Sequence, residues 1–160
     1  MLQTLLENYP GVDTAVLTHA KQKEPLRVRD LMSAAPVTIT PDTSVNTARA
    51  LMQQRQIQHL PVVEENRLVG MVSDGDIRLA LPSPATSLSV WELHQLLDKL
   101  TVGEVMHRFV VTVAPHLPVT TAIGRMLRHR VGAVPVTEDR RVIGILTRGD
   151  VLRAFLRTQE

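Results

Sequence analysis

The chain carries an internal duplication, and that feature constrains its fold more than any other. Residues 28–81 align without a gap with residues 102–155, at an offset of 102 − 28 = 74. Val28 and Met32 recur as Val102 and Met106. Val37-Thr38-Ile39 recurs as Val111-Thr112-Val113. Leu60-Pro61-Val62 recurs as Val134-Pro135-Val136, and Gly70-Met71-Val72-Ser73-Asp74-Gly75-Asp76 as Gly144-Ile145-Leu146-Thr147-Arg148-Gly149-Asp150. About 17 of 54 aligned positions are identical. A repeat of this length is one supersecondary unit copied whole, so function resides in what two copies build together.

Each copy reads as β-α-β-β-α. A short helical turn at 28–32 precedes a strand at 37–39. Pro41-Asp42-Thr43 supplies turn and N-cap chemistry. Val45, Ala48, Leu51 and Met52 then recur at helical spacing. Two short apolar strands, 59–63 and 68–72, flank the polar turn Glu64-Glu65-Asn66-Arg67. A second helix starts near 73–76. In the second copy the corresponding segments are 110–113, 118–130, 133–136, 142–146 and 148–157. One such unit has too little core to stand alone comfortably. The expected fold is therefore mixed α/β (α+β), with duplicated repeats packed about a pseudo-twofold axis that leaves two quasi-equivalent clefts.

The expected organisation is an N-terminal extension (1–25), repeat 1 (26–81), a connector with an amphipathic helix (82–101) and repeat 2 (102–157). In the connector, Ser89-Val90-Trp91-Glu92 carries a capping-box signature. Leu93, Leu96, Leu97 and Leu100 form one helical stripe, which either covers the core or presents a partner surface. Trp91, the single Trp, is either an exposed anchor or a core filler.

With aromatic residues at 2%, the core must be built from aliphatic residues and Met. The absence of Cys excludes disulfides, thiolate metal sites and a Cys nucleophile, in keeping with a reducing cytosol. The N-terminus lacks the basic region and apolar run of a signal peptide. No segment approaches the roughly 20 apolar residues of a membrane span. A cytoplasmic location is expected. A net charge of +2 does not point to nucleic acid. Its distribution is uneven: residues 102–155 hold eight Arg against four acids, while 28–81 hold five Arg against six. Either these are solvated helix faces, or one side of the molecule is prepared for anions.

The chemistry lies in Gly70-x-x-Ser73-x-x-Asp76 and Gly144-x-x-Thr147-x-x-Asp150. Each falls where a strand gives way to a helix. A hydroxyl there caps the helix, or joins its free N–H groups in binding an anion. A carboxylate three residues on can accept hydrogen bonds from two vicinal hydroxyls, as on a ribose. Gly75 and Gly149 let a ligand approach the backbone. Either motif alone reads as an ordinary capped helix. Two of them in register within a duplicated unit read as a pair of nucleoside-phosphate sites.

These residues give the chain a resemblance to a tandem pair of cystathionine-β-synthase (CBS) domains, the Bateman module. The Met32/Met106, Val-Thr-Ile/Val, Pro-Val and Gly-x-x-Ser/Thr-x-Gly-Asp motifs carry it, over residues 26–157. The connector resembles that of the stand-alone bacterial, acetoin-utilisation-B-like subset. The resemblance implies clefts for AMP, ADP or ATP as regulatory ligands, with S-adenosylmethionine an occasional alternative and no obligatory cofactor. It implies that Thr147 and Asp150 work with Ser33, Thr38, Ile57, Gln58 and His59. Ser73 and Asp76 would work with His107, Thr112, Val131, Gly132 and Ala133. It further implies a homodimer, and the signal is expected to pass to an effector protein or through oligomerisation.

The clefts should differ. The Asp150 cleft has Arg148 and His59 available for phosphate. The Asp76 cleft has Asp74 in place of Arg148, and Gly132-Ala133 in place of Gln58-His59. Two further readings compete with sensing. One is a structural dimerisation module with vestigial clefts. The other is a nucleic-acid module using Arg125, Arg128 and Arg130, which would lack stacking aromatics. An enzyme is not expected: the chain has no His-x-x-x-His pair, nucleophile elbow or phosphate-loop signature.

Overall fold

The computed structural model describes residues 25–81 and 89–157. Most of the expected N-terminal extension and the turn-rich start of the connector lie outside the described residues. In chain order the elements are α1 (Val28–Leu31), β1 (Ser33–Ala34), α2 (Val45–Arg55), β2 (His59–Glu64), β3 (Arg67–Ser73), α3 (Asp74–Ala80), α4 (Val90–Lys99), α5 (Val102–Val105), α6 (Val119–His129), β4 (Ala133–Glu138), β5 (Arg141–Thr147) and α7 (Arg148–Arg157). Strands β2 and β3 form a two-stranded antiparallel sheet, and β1, β5 and β4 form a three-stranded one in that order.

The two copies fold alike down to irregular details. Each hairpin has a register shift at the same place, between Val62 and Val63 and between Val136 and Thr137. Each turns through two residues with positive φ, Glu65-Asn66 and Asp139-Arg140. That conformation matches the twist of the flanking strands. Helices α2 and α6 both end on a left-handed residue, Gln56 and Arg130, whose N–H bonds back into the last turn.

The expected strands at 37–39 and 110–113 are each reduced to one parallel bridge, Ile39 to Val62 and Val113 to Val136. Ile39 donates to the Pro61 carbonyl at 3.1 Å and accepts from the Val63 N–H at 2.8 Å. Pro61 therefore sits with its missing N–H at the outer edge of the hairpin, where a strand tolerates proline. The strand at Ser33–Ala34 takes the place of the longer one expected. It pairs with β5 of the other copy, Ser33 opposite Ile145 and Ala34 opposite Gly144. The second copy does the same in abbreviated form, with reciprocal N–H to carbonyl bonds between His107 and Met71 at 2.9 and 3.0 Å.

The copies thus exchange their leading segments. Val28 is fully buried against Val113, Ala122, Met126, Val134, Val136 and Leu146 of the second copy. Val102 is fully buried among Ile39, Val45, Ala48, Met52 and Leu60 of the first. Each exchanged Val contributes roughly 1.5–3 kcal/mol by burial, and neither core is complete without the other copy's segment. A third cluster, Met71, Ala133 and Ile145 with Val110 against it, contains residues of both copies.

Two glycines permit the exchange. A Cβ on Gly144 would lie 2.4 Å from Met32 Sδ and 3.2 Å from the Ser33 carbonyl oxygen. On Gly70 it would lie 2.4 Å from Met106 Sδ and 3.2 Å from the His107 carbonyl oxygen. The recurrence of Met and Gly in both copies therefore has a steric cause.

The connector helix α4 starts at the expected capping box, with Glu92 accepting from the Ser89 N–H at 2.8 Å and its hydroxyl at 2.7 Å. Its stripe divides. Leu97 is buried in the first core and Leu100 packs against it, whereas Leu96 is 41% exposed. Trp91 is 70% exposed, which settles it as a surface residue. Among the described residues no helix is long and apolar enough to cross a membrane.

Candidate functional site

Both signature motifs form the capped turn expected of them, and both carboxylates look into the joint between the copies. Asp150 Oδ2 accepts from the Thr147 N–H at 2.8 Å and from its hydroxyl at 2.7 Å. Asp76 Oδ2 accepts from the Ser73 N–H at 2.7 Å and from its hydroxyl at 2.6 Å. The capping box therefore consumes one oxygen of each carboxylate and leaves Oδ1 to other partners, Arg153 at Asp150 and His107 at Asp76.

A cavity of about 510 Å³ lies beside Asp150. Its walls come from both copies: Ser33, Ile57, Gln58 and His59 from the first, Thr147, Arg148 and Asp150 from the second. Thr38 is exposed and is not among the lining residues. Gly132, expected in the other cleft, also lines this cavity. The reason is local: the Gly132 carbonyl accepts from the Arg148 N–H at 3.0 Å, and a Cβ on Gly132 would meet the Arg148 guanidinium at 2.9 Å and His59 Nε2 at 3.4 Å. A smaller cavity of about 350 Å³ adjoins it, sharing Asp150 and Arg153.

The electrostatics of this cavity are cationic. Arg148 has no ion-pair partner among the described residues. His59 is held below its ordinary pKa of 6.5, first by burial and then by the Arg148 charge, with the Asp76 charge partly opposing them. The linkage sign follows from that direction. The unfolded chain takes up the His59 proton at higher pH than the folded one, so stability is full above pH 6.5 and is lost as pH falls toward the folded value. Denaturant unfolding at pH 7.5 and 5.5 should show a loss of stability at the lower pH that is reduced in His59→Gln. An equal loss in both proteins would assign it to other groups.

The Asp76 side differs in its residues and its contacts. His107 Nε2 lies 2.9 Å from Asp76 Oδ1, so the opposite copy occupies the outward oxygen. Asp74 pairs with Arg78 at 2.6 Å. Thr112 is half-buried, and its carbonyl accepts from the Arg125 guanidinium. Val131 packs against the second core, and Ala133 is buried in the cluster with Met71 and Ile145. Arg125 is thereby withdrawn from the basic face on which a nucleic-acid reading relied. Among the described residues no three His, Cys, Asp or Glu side chains converge as a metal site.

Ala34, Ala35 and Arg153 also line the main cavity and were not among the expected site residues. Ala34 and Ala35 carry no sequence signal. Arg153 does carry one, because it lies three residues beyond Asp150 on one helix face, a spacing at which side chains meet.

The CBS domain family model matches residues 28–83 and 102–157. A solved CBS domain pair in complex with 5-methylthioadenosine and S-adenosyl-L-methionine is similar at a TM-score of 0.71 and 31% identity, covering 84% of this chain and 99% of that one. An acetoin utilization protein (AcuB) from Vibrio cholerae is similar at a TM-score of 0.71 and 28% identity, covering 85% and 94%. CBSX2 in complex with AMP is similar at a TM-score of 0.68 and 33% identity, covering 84% and 98%. Among curated relatives, L-aspartate semialdehyde sulfurtransferase of Methanocaldococcus jannaschii is 33% identical over 130 residues. That match takes in 80% of this chain but only 23% of the enzyme.

Proposed function

Because the chain belongs to the CBS-domain family as a tandem pair, we propose that it is a regulatory module that binds an adenosine nucleotide (AMP, ADP or ATP) in the Asp150 cleft and passes the signal to a partner protein. One observation carries the reading: a hydroxyl-accepting carboxylate, His59 and Arg148, which has no ion-pair partner among the described residues, share one 510 Å³ cavity walled by both copies. Asp150 would hold the ribose hydroxyls, Arg148 and His59 the phosphate, and the segment 56–58 the base. Solved relatives with AMP and with S-adenosyl-L-methionine support the ligand class.

The role is one of binding. Each cleft carboxylate is engaged in a capping box, an arrangement suited to accepting hydroxyl hydrogen bonds rather than to moving protons. Sulfur transfer is not carried over from the archaeal enzyme, of which this chain spans only 23%. A ligand that contacts both copies can bias their mutual angle through differential contacts in two states. We include a homodimer in the reading. Leu79 on α3, and Leu152 and Leu156 one turn apart on α7, are 87%, 63% and 67% exposed, and a second copy would cover such residues.

Thermal unfolding in the presence of AMP, ADP, ATP, S-adenosylmethionine and adenosine tests the proposal. A ligand that binds only the folded state at a hundred times its Kd adds about 2.7 kcal/mol, or several degrees in Tm for a chain of this size. At least one phosphorylated adenosine should do so. No shift with any of them would favour a structural module with vestigial clefts.

A further inference from the structure

Arg153 closes the Asp150 carboxylate against its own chain. Its Nη2 donates to Oδ1 at 2.5 Å, while Thr147 occupies Oδ2. Its Nη1 lies 3.4 Å from where a Cβ on Gly149 would stand. The guanidinium therefore covers both the outward oxygen and the small-residue opening at the start of α7, the two places a ligand would use. The cover is removable. The Arg153 side chain is 65% exposed while that of Asp150 is only 9% exposed, so the guanidinium can swing into solvent from a carboxylate that stays in place.

The duplication shows that this arrangement is particular to one cleft. The position equivalent to Arg153 is Leu79, which is 87% exposed, and a Cβ on Gly75 would meet only Ser73 Oγ, at 3.5 Å. There the outward oxygen of Asp76 is held by His107 of the opposite copy. The residue equivalent to His107 is Ser33, whose short side chain leaves the Asp150 oxygen to Arg153. Arg153 also lines the main cavity together with Arg148 and His59.

We infer that Arg153 is a displaceable placeholder that makes the Asp150 cleft select phosphorylated over unphosphorylated nucleosides. The inference rests on the nucleoside reading of that cleft given above. Vicinal ribose hydroxyls take the place of the guanidinium on Asp150, and the released guanidinium pairs with the ligand phosphate. An unphosphorylated nucleoside breaks the Arg153–Asp150 pair and returns nothing to the arginine. A nucleotide returns a phosphate, which a guanidinium binds through two parallel hydrogen bonds.

The test is calorimetric titration of AMP and of adenosine into the wild-type chain, Arg153→Leu, Arg153→Gln and Arg153→Lys. Leu reproduces the residue of the other copy at an exposed position, and Gln provides a second neutral variant should Leu disturb the helix. In both neutral variants AMP should bind about tenfold more weakly, adenosine equally or more tightly, and the selectivity ratio should contract at least tenfold. Lys should keep part of the ratio. Neutral variants that preserve the AMP-to-adenosine ratio, or weaken both ligands alike, would overturn the placeholder role while leaving the cleft a nucleoside site. A wild-type chain that binds neither ligand would overturn the reading of the cleft itself, and this inference with it.

Discussion

Gly144→Val is expected to cost about 3 kcal/mol of stability, the upper end for inserting bulk into a packed interior. The site has no slack. The first added carbon alone would lie 2.4 Å from Met32 Sδ and 3.2 Å from a backbone oxygen of Ser33. The sulfur end of Met32 can move, but the Ser33 carbonyl belongs to β1 and cannot move without disturbing the register of Ser33 with Ile145. Losing that register would loosen α1 and expose Val28, which is fully buried in the other copy's core. Ser33 also lines the Asp150 cavity, so nucleotide affinity should fall together with stability. Denaturant unfolding measures the first effect and calorimetry the second. Met32→Ala in the same chain should restore part of the stability, because neighbouring residues couple non-additively. A Gly144→Val chain as stable as wild type would mean that the exchanged strand does not hold the copies together.

Asp150→Ala should weaken AMP binding about a hundredfold. Two hydroxyl hydrogen bonds to an ionised carboxylate together contribute about 3 kcal/mol net, and each 1.4 kcal/mol is a factor of ten in affinity. The variant should still fold. Thr147 continues to cap the helix through its hydroxyl, so the stability loss should stay within about 0.5–2 kcal/mol. Its melting temperature without ligand should therefore drop only modestly, while the increment added by AMP should largely vanish. Asp76→Ala removes the same chemical group from a setting in which Asp74, paired with Arg78, replaces Arg148. Its effect on AMP affinity should be small.

Much of this account was legible in the sequence, for an identifiable reason. A duplicated motif supplies its own control: where the copies agree they report the fold, and where they differ they report function. Ser73/Thr147 and Asp76/Asp150 agree, and both form the same capped turn. Asp74 and Arg148 differ, and in the structure one is paired with Arg78 while the other lines the cavity with no ion-pair partner among the described residues. The exchange of strands was not legible. Ser33-Ala34 is two exposed residues long, too short for any apolar alternation, and it is defined only by a partner more than a hundred residues away. The shortening of the strand at 37–39 was hidden because Val-Thr-Ile reads as a strand whatever pairs with it. Arg153 was missed because a charged residue on a helix face ordinarily denotes a solvated surface. Its contact with Asp150 was available from spacing alone, and so was its replacement by Leu79 in the other copy. The place of Gly132 in the Asp150 cavity was not legible either, because the offset of 74 pairs it with the Asp76 cleft and only the reach of the Arg148 side chain brings the two together.

Of the two related clefts, we propose the one at Asp150 as the nucleotide site. Calorimetric titration of AMP into the wild-type, Asp150→Ala and Asp76→Ala chains tests it most directly. A loss of about a hundredfold in Asp150→Ala, with near wild-type affinity in Asp76→Ala, is the predicted result. Equal losses in the two variants would contradict it.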